Sequence, residues 1–370
     1  MKIAVIGTRG FPGVQGGIET HCQKLYPRMA ANGFDVTVFG RQCYLKKKHP
    51  FEYQGVHVVP LPCSHHACWE AITHALACIP YIFILRPDII HIHGIGPALF
   101  APLFRLMGAK VVYTHHGQDY LRDKWGKIAK VSLKLGERIG TLFANRVVVI
   151  SEYIDAQLKK RYHCKRTILI RNGVELPDRS TDKDSQWLTK HKLESHRYIF
   201  ALGRFVQEKG FHDLIAAYQL AHPDGVKLCI AGEADHENAY SLRLKKQAHE
   251  AGVILAGFIT GDELGALFSN ACLFVIPSSH EGLPIVLLEA LSYGLDIVAS
   301  DIPANLEEPL PRDCFYPVGN TKALSQKITD RLAHGTKMDC KEVIQEFYNW
   351  DKIAVQTANV YREITKGKAA

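Results

Sequence analysis

No stretch of about 18 or more uninterrupted apolar residues occurs in this 370-residue sequence, so a membrane-spanning helix is not expected. The nearest candidate, 71–85, is short and interrupted by His74 and Pro80. The opening MKIAVIG goes straight into a strand-like run and lacks the charged start, long apolar stretch and small-residue cleavage site of a secretory signal. The ten cysteines form no C-x-x-C pair. Without an export signal they read as reduced thiols in a cytoplasmic protein. One cluster collects Cys63, His65, His66, Cys68, His74 and Cys78, with His74 and Cys78 four apart on one helix face. Its second half reads as an ordinary buried helix, and no metal is expected there. The dinucleotide fingerprint is also missing. In GTRGFPGVQGG, Arg9 stands where the second glycine belongs, and Phe39 is followed by Gly40 and Arg41 rather than an acid. A nicotinamide-dependent oxidoreductase is disfavoured.

What is present is an ordinary globular composition, 47% apolar and 22% charged. The net charge of +8 is unevenly placed. Residues 1–177 carry 24 Lys+Arg against 11 Asp+Glu, +13, and the remainder 21 against 26, −5. Basic runs fall at Lys46-Lys47-Lys48, between Arg122 and Lys134, and around Lys159-Lys160-Arg161. An anionic partner for the first half follows, either nucleic acid or an anionic membrane surface.

Short β-branched runs alternate with helix-like segments, which means βαβ units and doubly wound α/β sheets. Strands are expected at 2–6, 35–39, 56–59, 89–93, 110–115, 146–150 and 167–170. A polar stretch with Pro177 and no strand, 177–197, breaks the pattern and reads as a linker. Strands resume at 198–202, 227–231, 253–256, 273–276 and 296–299. The expectation is an N-terminal domain, 1–176, a linker, a C-terminal domain, 198–349, and a last helix from Trp350 that packs across the junction.

The chemistry-bearing residues fall at strand ends. The glycine loop at Gly16-Gly17 precedes the first helix and suits an anion. Arg204 and Lys209, five apart after the strand at 198–202, make a pyrophosphate clamp of a guanidinium fork and a point charge. Gly232 and the Phe258-Ile259 backbone end two further strands and can lie against a base or phosphate. In EGLPIVLLE, Glu281 stands in a loop and Pro284 suits the first turn of a helix, which places Glu289 in its second turn. Gly282, Leu283 and Ile285 lie at that helix start, where backbone N–H groups lack acceptors.

In order and spacing, these pieces resemble glycosyltransferase family 4, retaining enzymes of the two-domain GT-B fold. The glycine loop, GRFVQEKG, AGE, LAGFIT, EGLPIVLLE with its E-x7-E, and a closing helix near Trp350 span essentially the whole chain. The resemblance implies two Rossmann-like domains facing a central cleft, with a C-terminal helix crossing back. It implies transfer of a sugar from a nucleotide-diphosphate donor, UDP-sugar favoured, without a metal or other cofactor. VVYTHHGQD points to His116 rather than His115 as a contact of the transferred sugar. Glu281 would hold sugar hydroxyls, Glu289 the ribose, and Arg204 and Lys209 the leaving diphosphate. Ser151 matches a small polar residue facing the cleft. GQDYLRDKWGK looks closer to a bacterial branch that builds surface polysaccharides on lipid-linked or glycan acceptors. Such an enzyme would sit in the cytoplasm, at the inner face of the cell membrane, and bind no nucleic acid. A nucleotide-sugar epimerase or hydrolase of the same fold, or a non-enzymatic nucleic-acid- or membrane-binding protein, are the alternatives.

Overall fold

The computed structural model describes all residues except 65–66, 123–124, 178–183, 236, 336–337 and 367–370. The chain forms two units, one of Met1–Gly173 with Tyr348–Ala370, the other Val174–Phe347.

The first unit runs β1 (Lys2–Ile6), α1 (Gly17–Ala31), β2 (Asp35–Arg41), β3 (Phe51–Tyr53), β4 (Val56–Leu61), α2 (Ala67–Leu85), β5 (Ile89–His93), α3 (Ala101–Leu106), β6 (Lys110–His115), α4 (Lys127–Phe143), β7 (Arg146–Val149), α5 (Glu152–Tyr162) and β8 (Thr167–Leu169). Its sheet has the order β3-β4-β2-β1-β5-β6-β7-β8. All pairs are parallel except β3 with β4. Strands such as Ile89–His93 are buried at every residue, as a sheet covered on both faces requires.

The second unit opens with α6 (Asp184–Lys190) and continues β9 (Tyr198–Leu202), α7 (Phe211–Ala221), β10 (Lys227–Ala231), α8 (Ala239–Glu250), β11 (Ile254–Gly257), α9 (Gly261–Ser269), β12 (Leu273–Ile276), α10 (Ile285–Ser292), β13 (Ile297–Ser300), α11 (Pro303–Leu306), β14 (Phe315–Tyr316), α12 (Thr321–His334) and α13 (Lys341–Phe347). Its all-parallel sheet has the order β11-β10-β9-β12-β13-β14.

The last helix, α14 (Trp350–Thr365), returns to the first unit. Asn349 caps it, its Oδ1 accepting from the N–H groups of Asp351 (2.8 Å) and Lys352 (3.1 Å). Ile353, Ala354, Ala358 and Tyr361 join the core with Leu25, Tyr26 and Met29 of α1. Trp350 is buried so close to Gly173 that a Cβ there would meet the indole at 2.6 Å.

Several expectations are corrected. The first unit ends at Gly173 and resumes at Tyr348, and the last helix is part of its core. The stretch 177–197 is not simply a linker. Within it α6 packs on α9, Leu188 and Leu193 are buried, and Lys190 and His191 both bond Glu263 Oε1, at 2.7 and 2.6 Å. The helix α2 is not an ordinary buried helix, for Leu76, Tyr81, Phe83 and Ile84 are exposed. It covers the sheet with one face only and leaves the other to the outside. Between 299 and 350 the sequence suggested no elements, yet β14, α12 and α13 lie there. Only Leu324 and Ile328 of α12 are buried, too few to give a helical period.

Trp350→Ala should destabilise the first unit by about 3–5 kcal/mol, the usual cost of emptying a large aromatic site. Thermal unfolding and hydrogen exchange should report it, with faster exchange in α1 and α14 and little change in β9–β14.

Candidate active site

In each sheet the strand order reverses about one pair, β1/β5 in the first unit and β9/β12 in the second. A crevice opens at such a switch point, outside the carboxyl ends of the strands. The residues singled out from the sequence follow β1 and β6 in the first unit and β9, β10, β11 and β12 in the second.

In the second unit the loop after β9 meets the loop after β12. Gly210 has φ 66°, and a Cβ there would strike Pro277 O at 2.2 Å, so only glycine allows the loops this close. Ser279 donates its N–H to Glu208 O at 2.8 Å. The result is an ion pair across the switch point. Lys209 Nζ lies 2.6 Å from Glu281 Oε1, with side chains 17% and 12% exposed. Arg204 Nη1 lies 2.8 Å from Asp235 Oδ2. Asp235 was not anticipated. It holds the guanidinium in place, and an anionic ligand at Arg204 would share that contact or displace it.

The strand ends are laced together. Gly232 donates its N–H to Gly257 O at 2.7 Å, and Phe205 its N–H to Glu233 O at 3.0 Å. Phe258 is 45% exposed, whereas Ile259 is buried. The helix after β12 starts one residue later than expected. Pro284 is the N-cap with extended backbone, and Ile285 opens α10. Gly282 and Leu283 therefore precede the helix, and the first-turn amides are those of Ile285 and Val286, ahead of the bond from Leu287 N–H to Pro284 O at 3.0 Å. Glu289 falls in the second turn and is half-buried, on the same stripe as Val286 and Tyr293; Leu287, Leu288, Ala290 and Leu291 are buried.

In the first unit Gly16 is the N-cap of α1, and Gly17 its first residue. The loop before it is closed by Glu19, whose carboxylate accepts from Arg9 N–H at 2.9 Å. Gly7 sits where a Cβ would meet His93 O at 2.1 Å, so the loop lies on the end of β5. His115 and His116 face different tasks. His115 is fully buried, its Nδ1 accepting from Gly117 N–H at 3.2 Å, so its Nε2–H donates to Glu137 Oε1 at 2.9 Å. Burial pushes the Glu137 carboxyl up, but hydrogen bonds from His115 and Tyr162 and the charge of Arg161 outweigh it and hold it below the usual range. His116 is half-buried, its Nε2 2.8 Å from His93 Nδ1.

Behind His116 runs a chain of polar groups. Tyr26 Oη lies 2.5 Å from His93 Nε2 and 3.0 Å from His91 Nδ1. Tyr361 Oη reaches His91 Nδ1, and His91 Nε2 lies 2.6 Å from Thr114 Oγ1. A neutral chain has two directions. In one, Tyr26 donates to His93, His93 donates to His116, and His116 offers Nδ1–H outward. In the other every bond reverses, and His116 Nδ1 accepts. His21 stands beside His116 at 5.0 Å between ring centroids, and donates Nδ1–H to Asn172 Oδ1 at 2.9 Å. Burial lowers His21 to about 4 and His91 to about 3, and holds His93 and His116 well below the ordinary 6.5. All four are neutral near pH 7. Ring nitrogens of His21, His93 and His116 lie within 4.8 Å of one another, and neutral imidazoles are metal ligands. An ion there would require His93 and His116 to give up their mutual hydrogen bond.

Residues 15–177 match Glycosyltransferase Family 4, and residues 184–347 match Glycosyl transferases group 1. The chain belongs to the glycosyltransferases. It is 25% identical to the uncharacterized glycosyltransferase MJ1607 of Methanocaldococcus jannaschii, over 98% of each chain. It is 25% identical to an uncharacterized 41.2 kDa protein in the cps region of Klebsiella pneumoniae, over 60% of this chain and 62% of that one. Its fold matches sucrose-phosphate synthase from Thermosynechococcus elongatus, TM-score 0.85, 21% identity, 99% of each chain. It also matches Anabaena HepE in complex with UDP-glucose, TM-score 0.79, 18% identity, 98% of this chain and 100% of that one. These neighbours are GT-B enzymes, and the two-sheet architecture described above is theirs.

One expectation for this glycosyltransferase comes out differently. Ser151 is buried and caps α5, its Oγ accepting from Ile154 N–H at 3.3 Å. The Cys/His cluster does not assemble among the described residues. Cys63 Sγ lies 3.4 Å from Cys43 Sγ, Cys78 Sγ lies 4.0 Å from His74 Nδ1, and His65 and His66 fall outside the described residues. Cys43, Cys63 and Glu70 bring ligand atoms within 4.8 Å of one another, but Glu70 is already bonded to Arg41 Nη1 at 2.7 Å. The sequence reading passed over His21, Tyr26, His93 and Glu137. The HIH of β5 was its only local signal, since the partners lie far along the chain.

The buried imidazoles set a pH dependence. Unfolding returns His21 from about 4 to 6.5, so the unfolded chain binds protons that the folded one refuses. Stability is full above about 6.5 and falls as pH drops toward 4, by about 3 kcal/mol at pH 4 for this one group. Melting temperature should fall steeply over that window, and His21→Gln should flatten the slope. An unchanged slope would show that His21 is already protonated in the fold.

Proposed function

We propose that this glycosyltransferase moves a sugar, with retention at the anomeric carbon, from a nucleotide-diphosphate donor to a lipid-linked or glycan acceptor in bacterial cell-surface polysaccharide synthesis. A UDP-sugar is the favoured donor. The observation that carries the reading is the Lys209–Glu281 ion pair with Arg204 at the β9/β12 switch point. It places two cations suited to a diphosphate beside an acid suited to sugar hydroxyls. UDP-glucose bound to HepE and the cps-region relative support the donor and the pathway class.

Charge is the chemical problem. As the bond from C1 to the diphosphate oxygen breaks, the leaving group gains negative charge and the sugar becomes oxocarbenium-like. Arg204 and Lys209 neutralise the diphosphate, assisted by the first-turn amides of α10. Groups already oriented this way lower the barrier because they need no reorganisation. Glu281 holds donor-sugar hydroxyls, Glu289 the ribose, and Gly232, Phe258 and Ile259 border the nucleotide. In the first unit, His116 Nδ1 is the candidate contact for a sugar hydroxyl and the Gly16-Gly17 backbone the candidate contact for an anion. The acceptor oxygen attacks C1 on the face the diphosphate leaves, and its proton passes to the departing phosphate oxygen. The scheme is metal-independent, with the two cations supplying the counter-charge. The enzyme works in the cytoplasm, where its basic N-terminal half meets the anionic inner face of the membrane.

A thermal-shift screen of UDP, GDP and ADP, then of their sugars, identifies the donor. With that donor, Arg204→Ala should lower kcat/KM by about 10²–10³. Glu281→Gln should lower kcat by a similar factor. Glu289→Ala should instead raise donor KM about tenfold, the worth of roughly 1.4 kcal/mol of hydrogen bonding. Full transfer by both glutamate variants would refute the assignment, and an inverted product linkage by NMR would refute retention.

A further inference from the structure

We infer that the outward face of α2, α3 and α4 is a seat for an anionic lipid surface. On α4, Ile128, Val131 and Leu135 are 88%, 65% and 47% exposed, at the i, i+3, i+7 spacing of one stripe. Lys127, Lys130 and Lys134 repeat that spacing one residue earlier, so a cationic stripe borders the apolar one. The neighbouring helices also leave apolar side chains exposed at their C-terminal ends, Leu106 of α3, 85% exposed, and Phe83 and Ile84 of α2, 66% and 80% exposed. α2 and α4 both pack on the turn Pro97–Phe100 that leads into α3. α4 packs on α3, and Arg105 Nη1 donates to Phe143 O at 3.2 Å.

Among the described residues of these three helices no acid faces outward. The three helices contain only Glu70 and Glu137, both buried, one bonded to Arg41 and the other to His115, Tyr162 and Arg161. What faces out from these helices is hydrocarbon edged with cations. An exposed apolar patch of this extent marks an interaction surface. A bilayer with anionic headgroups matches both parts, taking the apolar side chains at the acyl boundary and the cations at the phosphates. A second copy fits poorly, because a two-fold contact would set the lysines of one face against those of the other.

This inference deepens the membrane part of the proposed function, but its test needs neither donor nor acceptor. The full chain is sedimented with vesicles of phosphatidylcholine alone and of phosphatidylcholine with equal phosphatidylglycerol. Binding to the anionic vesicles only, weakening with salt, is expected. Each neutralised lysine should lower partitioning roughly fivefold. Lys127→Glu/Lys130→Glu/Lys134→Glu should therefore lose a hundredfold or more, and Ile128→Ser/Val131→Ser should lose binding even at low salt. Both should keep the wild-type melting temperature. Lys322→Glu/Lys327→Glu on α12 should bind as wild type. Absent binding of the wild-type chain, or equal loss in the α12 variant, overturns the inference. So does a concentration-dependent dimer that Ile128→Ser/Val131→Ser abolishes, which would assign the face to a second copy. Vesicle binding without turnover of any nucleotide sugar would sink the functional reading and leave this one standing.

Discussion

A parallel strand covered on both faces has nowhere to put reactive groups except its ends, and that constraint organises the whole molecule. Eight strands in one unit and six in the other are packed between helices, and their interiors are almost wholly aliphatic and aromatic. Polar chemistry gathers where the chain leaves the sheet, at the pair of strands about which the order reverses. The two reversals use the same device. A glycine lets one loop lie on the neighbouring strand's end, Gly7 on His93 in the first unit and Gly210 on Pro277 in the second. Those close approaches bring into contact the residues proposed to bind and react.

The clusters around Lys209 and His116 handle polarity in opposite ways. Around Lys209, charge is kept and paired, Lys209 with Glu281 and Arg204 with Asp235. Around His116, charge is removed: four imidazoles at the sheet end are neutral because burial forbids the cation. Paired charges suit a partner that arrives charged, since an incoming anion finds cations already desolvated and oriented. Neutral imidazoles linked through tyrosines suit a partner rich in hydroxyls, which gives and takes hydrogen bonds without a change of charge.

The sheets were largely legible in the sequence. Runs such as KIAVI, IIHIH and LFVI are compact, apolar and bounded by polar residues, and strands placed there keep their limits almost unchanged. The strand-end motifs were legible for the same reason, because a loop follows each strand directly. What escaped was held by distance or by weak patterns. His21 with Asn172, and His91 with Tyr361, are joined by folding alone, 151 and 270 residues apart in the chain. The helix α6 hid inside a polar stretch because Leu188 is its one buried residue among those described. The helix α2 misled in the other direction, since uninterrupted apolarity suggests burial whether or not anything covers the outer side.

The return of α14 fixes an order of assembly. The first unit has its sheet by residue 169, but Ile353, Ala354 and Tyr361, which close its core over Leu25 and Tyr26, lie beyond the entire second unit. On the ribosome, the domain begun first is therefore finished last. Its apolar flank stays uncovered while some 180 further residues are translated, and a nascent chain cut short within the second unit would leave that flank permanently bare.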